Sequence, residues 1–148
     1  MINLSIITKA LQDQLNSNVD VKEFLNGKEV IRGEVINMDV NETPWVGVYR
    51  GNVKYEPRTL GSMNNWEASP SIRVIVQASH LSSAEQCEID LEGYVQKILD
   101  AVIDDTTIGG TVDMINSYDV EVGYIETDRS TVHFQGASIT FNMEVSTS

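Results

Sequence analysis

The side chains able to do chemistry in this sequence are few and scattered. Cys87, His80 and His133 are the only thiol and imidazoles present, whereas a structural zinc site takes about four such ligands at short spacings. Cys87 falls on the apolar side of a helical pattern, where a thiol behaves as a small hydrophobe, so core packing is expected in place of ligation or nucleophilic attack. His80 stands just before a helix-capping sequence and reads as a loop or pre-cap residue, not as a general base. His133 shares a strand face with Gln135, opposite the apolar positions of that strand, which predicts exposure for both.

Carboxylates are plentiful, and Asp100, Asp104 and Asp105 lie close enough in sequence to suggest a hard-cation site or a paired acid and base. No Asp-x-Asp-x-Asp-Gly loop accompanies them, and adjacent acids at a helix end are ordinarily just solvated. Ser62 lacks the Gly-x-Ser-x-Gly elbow of an activated nucleophile. Neither Gly-x-Gly-x-x-Gly nor a phosphate loop ending in Gly-Lys-Ser/Thr occurs. No constellation supports an enzyme: the expectation is no catalytic residue, no cofactor and no metal.

The elements that would position these groups follow from periodicity. Leu4, Ile7, Leu11 and Leu15 recur at helical spacing with Lys9, Gln12, Asp13 and Gln14 between them, predicting an amphipathic helix that stops within the polar residues 16–18. Val30, Ile31, Val35 and Ile36 suggest a strand over residues 28–36, interrupted at Gly33. A turn over residues 37–44 leads to a second strand carrying Trp45, Val46, Val48, Tyr49, Val53 and Tyr55, with Gly47 and Gly51 as sites for a twist or bulge. Residues 57–70, bounded by Pro57 and Pro70, read as a long loop holding Met63 and Trp66. Loops of that length are uncommon in compact domains and are often functional. Its apolar groups either fold back as a lid on their own core or meet a partner, and Arg58, Met63, Asn65 and Trp66 are the candidate interface residues.

Ile72, Val74, Val76 and Ala78 then alternate as a central strand. Ser82 and Glu85 form a capping box that starts a helix over residues 83–104, with Cys87, Leu91, Val95 and Ile98 expected in the core. Gly109 and Gly110 follow its end. Tyr118, Val120, Val122 and Tyr124 alternate, a turn occupies residues 127–130, and the run from Thr131 completes a hairpin. In that last run the apolar parity changes from Val132 and Phe134 to Ala137, Ile139, Phe141, Met143 and Val145, which predicts a β-bulge at Gly136. The fold expected is α+β: a mainly antiparallel sheet of about five strands flanked by two main helices, in the order α-β-β-β-α-β-β.

A length of 148 residues suits one domain, residues 1–148, with a core that needs no metal or disulfide staple. At 41% hydrophobic and 22% charged residues the composition is that of a folding chain and not a disordered one. The net charge of −12, spread without blocks and with isolated basic residues, argues against a groove that grips nucleic-acid phosphates. One cysteine cannot form an internal disulfide, and no signal-like apolar stretch follows Met1, so an intracellular product is expected. The longest apolar runs are too short to cross a membrane as a helix.

The order of elements, the polar segment around Asn64, Asn65 and Trp66 before the strand at residues 72–78, the helix at 83–104 and the terminal hairpin containing Gly136 together resemble the tail terminator proteins of long-tailed bacteriophages. The likeness spans almost the whole chain and rests on architecture, size and acidity. It implies a small subunit that forms a ring, commonly a hexamer, in the neck of the virion after assembly in the host cytoplasm. Such a ring caps the tail tube, contacts tail tube and neck connector proteins, and leaves a hole for DNA, which is met only in transit; no membrane is involved. A neck stopper or head-completion protein is the related alternative. A cytoplasmic enzyme or small-ligand domain is the alternative of a different class, and it requires a pocket with convergent polar groups inside one subunit.

Overall fold

The computed structural model describes residues 2–33, 43–57, 66–81, 83–125 and 133–147, with the backbone alone at Pro57, Trp66, Tyr124, Ile125, Ser146 and Thr147. The elements are α1 (Leu4–Asn16), α2 (Val19–Phe24), β1 (Ile31–Arg32), β2 (Trp45–Pro57), β3 (Trp66–His80), α3 (Ala84–Ile103), β4 (Met114–Ile125) and β5 (His133–Thr147). The five strands form one sheet in the order β1-β2-β3-β5-β4. Every pairing is antiparallel except β1 with β2. The α+β class and the five strands are as the sequence predicts.

Alternation decides which face of the sheet is covered. Val46 and Val48, then Ile72, Val74, Val76 and Ala78, then Ala137, Ile139, Phe141 and Met143 are all buried at every second position. They join Ile7, Leu11 and Leu15 of α1 and Leu91, Ile98 and Val102 of α3 in one core. Burying each Val, Leu, Ile, Phe or Met side chain of this set stabilises the fold by about 1.5–3 kcal/mol. The opposite parity on β3 and β5, including Arg73, Gln77, Ser138, Thr140 and Asn142, is half-buried or exposed and mostly polar. On that second face the exception is Trp45, buried and donating from Nε1 to Gln77 Oε1 at 2.9 Å. Its ring lies over Gly47, where a Cβ would come within 2.8 Å of the indole and 2.6 Å of the Gly33 carbonyl, so only glycine fits.

Several local expectations change. The polar residues after α1 start another helix: the Asn18 side chain accepts from the Val21 amide at 3.1 Å and caps α2, which buries Val21 and Phe24. Phe24 stacks on Tyr94 of α3 with centroids 4.5 Å apart. The first strand is only two residues long, and residues 34–36 of the predicted one lie outside the described set. The cap of α3 is Ser83, whose hydroxyl accepts from the Gln86 amide at 3.1 Å; the predicted cap Ser82 is not among the described residues.

The predicted loop over residues 57–70 is shorter, because β3 already begins at Trp66 and carries Pro70 inside it. A strand tolerates proline where the ladder is irregular. The register of β2 on β3 shifts between Arg50 and Val53, opposite Pro70. There the Ser71 hydroxyl accepts from the Asn52 amide at 3.0 Å and occupies the space a side chain at Gly51 would need. Gly51 therefore marks the bulge.

The bulge predicted at Gly136 is absent. The register of β5 runs unbroken past it on both neighbours, Gly136 facing Gln77 and Gly123, and its φ is not positive. The buried parity simply continues from Ala137 to Gln135, which is 2% exposed. The expectation that Gln135 faces solvent is thus overturned, and the irregularity of the hairpin sits instead in β4, between Ile115 and Ser117.

Candidate functional site

Three places are candidates to be compared, and the first is the end of the β2–β3 hairpin. Beyond the Gly51 bulge, β2 and β3 stay paired from Val53↔Pro70 to Pro57↔Trp66, while the end of β5 pairs along β3 up to Trp66↔Thr147. The result is a three-stranded arm. Its flank carries Lys54 and Glu56, two residues apart on one face and bridged at 2.9 Å, which raises the Lys54 pKa through the carboxylate hydrogen bond. Both are well exposed, so the pair adds little stability. Of the candidate interface residues, Trp66 opens β3 at the end of the arm, and Arg58, Met63 and Asn65 lie outside the described residues.

The second place comprises the groups weighed for chemistry, which the fold spends on structure. Cys87 is buried, its thiol 3.6 Å from the Ala78 carbonyl oxygen and 3.4 Å from that of His133. Burial raises its pKa, Asp90 adds to the rise, and the Gln135 backbone amide partly opposes it. His80 ends β3, and its Nδ1 accepts from the Ser83 amide at 3.0 Å, so it helps to cap α3 as its position before the helix suggested. His133 is half-buried, paired across the strands with His80.

Asp100, Asp104 and Asp105 do not converge. Asp100 accepts from Gln96 at 2.9 Å. Asp105 accepts from the Thr107 hydroxyl at 2.6 Å, the Thr107 amide at 3.0 Å and the Gly109 amide at 2.9 Å. Those bonds lower its pKa, the hydroxyl contributing most. They hold the turn in which Ile108, Gly109 and Gly110 all take positive φ and Ile108 is buried. Among the described residues no group of three His, Cys, Asp or Glu side chains could hold a metal ion.

The third place was not visible in the sequence. The helix α3 covers β3 and β5 but stops short of β4, whose core-side residues Tyr118, Val120 and Val122 remain 46%, 39% and 58% exposed. Between α3 and β4 runs a groove of about 410 Å³, floored by Leu91, Val95, Val120 and Val122 and walled by Glu88 and Glu92. Gln135 closes its base, and among the described residues its Nε2 has no acceptor. Val95, expected in the core, is half-exposed here, while Leu91 and Ile98 are buried as expected. The signal available in the sequence was the alternation through Gln135, obscured by the apparent parity change at Gly136.

These features define an α+β fold with, among the described residues, helices on one sheet face and a three-stranded arm. No protein-family model matches the chain, and no curated protein matches it. Among solved structures it is similar to a chain of the virion of a native gene transfer agent particle, at 10% identity and a TM-score of 0.43 over 93% of each chain.

Proposed function

We propose that this chain is a structural virion protein, a ring-forming tail terminator that caps the tail tube and joins it to the connector of the neck. The observation that carries the reading is the hairpin arm: β2 and β3 stay paired out to Pro57↔Trp66 with β5 alongside to Thr147, and Arg58, Met63 and Asn65 fall in the sequence between those two strands. An arm built this way can engage a neighbour without rearranging the core. In a ring, the arm of one subunit reaches the next subunit or the tail tube protein, and the aromatic and apolar groups of its tip anchor the contact. The net charge of −12 per subunit fits a channel past which DNA slides without being held, since like charges on the wall repel phosphate.

The test is assembly. The purified chain, mixed with tail tubes that lack a terminator, should add a ring to one end of each tube in negative-stain images and make the tubes competent to join heads. Tubes that stay bare, or rings that load only onto connectors and never onto tubes, would refute the terminator reading; the latter would indicate a stopper.

A further inference from the structure

We propose that the outer edge of β4 and the groove beside it receive an extended segment of another protein, alternately basic and apolar, which adds to the sheet as a further strand. This site is separate from the arm, and a ring could form without it.

The edge comes first. Among the described residues β4 is terminal in the strand order, paired only with β5. An unpaired strand edge is a template for another chain, and proteins blunt such edges with short strands, proline, charged side chains, above all lysine, or bulges. β4 has no proline and no basic residue, and its irregularity lies near its start, between Ile115 and Ser117, leaving Ser117 to Ile125 in regular register.

The two faces of β4 then specify what the added strand must look like. On the core side, Val120 and Val122 continue into the groove floored by Leu91 and Val95, so every second residue of an incoming strand would bury an apolar side chain there. On the other side Asp119 and Glu121 stand opposite Thr140 and Ser138, and neither makes an ion pair among the described residues. Their cross-strand partners on an added strand are favoured when basic.

Gln135 supplies the independent observation. Its amide nitrogen is buried at the base of the groove and has no acceptor among the described residues. A buried donor left unmade is costly. A second copy of this chain is the wrong occupant. Antiparallel pairing of two β4 edges would set Asp119 and Glu121 against their own counterparts, between molecules that each carry −12.

The probe is an acetylated, amidated peptide of seven residues alternating lysine and valine, titrated into the isotope-labelled protein. The expected result is saturable binding, slowed amide exchange confined to β4, and affinity that falls as salt is raised. A peptide with glutamate replacing lysine, and one with proline replacing the central valine, should each bind at least about tenfold more weakly. The surface variant Asp119→Asn/Glu121→Gln, which keeps the groove, should lose about threefold to tenfold. Absence of saturable binding, equal binding of the proline peptide, or protection mapping elsewhere overturns the proposal. Concentration-dependent protection of β4 without peptide overturns it too, because the occupant would then be a second copy.

Discussion

At the scale of single residues, placement has settled the roles of the reactive groups. The Cys87 thiol lies between two backbone carbonyls under α3, and burial holds it protonated. Native protein at pH 8 should therefore react with iodoacetamide only through opening of the fold, while urea-unfolded protein reacts at once; fast labelling of the native state would refute this placement. Because the folded-state pKa is raised, the unfolded chain ionises first on going alkaline. The thiol's contribution is present below about pH 9 and declines above it, so Cys87→Ala should flatten the alkaline fall of stability. Asp105 behaves in the opposite sense. Its carboxylate accepts three hydrogen bonds within the turn after α3 and its pKa is lowered, so its contribution is present above the ordinary carboxylate value near 3.8 and is lost as pH falls below it. Asp105→Asn should leave the neutral-pH fold intact, quicken amide exchange at Thr107 and Gly109, and reduce the acid dependence of unfolding.

At the scale of elements, α3 depends on both its apolar stripe and its ends. Leu91 is buried against the sheet, so Leu91→Ala should destabilise by about 2–5 kcal/mol in urea titrations; a loss under about half a kcal/mol would place this side chain outside the core. The helix's C-terminal carbonyls are capped from another element, Gln14 Nε2 of α1 donating to Ala101 at 3.0 Å and to Val102 and Asp105 at 3.2 Å. Gln14→Leu should cost about 1 kcal/mol by leaving those carbonyls short of a donor. Elements with sustained periodicity, α1, α3 and the alternating strands, were legible because burial of one stripe or face dictates residue type. What escaped was set by tertiary context. Asn18 looks like a helix terminator yet caps α2, Pro70 looks like a loop boundary yet fits a strand beside a bulge, and Gln135 looks solvent-facing yet closes the base of a groove. The groove could not be read from sequence, since it exists only because α3 stops short of β4.

At the scale of the whole molecule, the helix-covered face supplies the core, and the proposed interface lies at the arm. Trp66 sits where β3 begins, facing Pro57 and Thr147 across the strands at the end of that arm. The segment before it, residues 58–65, joins two strands with more chain than a tight hairpin turn requires, and it includes Met63 beside Arg58 and Asn65. Aromatic anchors of interfaces commonly contribute 2 kcal/mol or more, roughly thirtyfold in a binding constant. Trp66→Ala should therefore leave a folded subunit whose thermal midpoint is nearly that of the wild type, while abolishing rings on tail tubes and the joining of heads. A lid would respond otherwise. If the variant melts far below the wild type, and indole fluorescence shows Trp66 equally shielded in the isolated subunit and in the ring, the tryptophan seals its own subunit and the arm is not the interface.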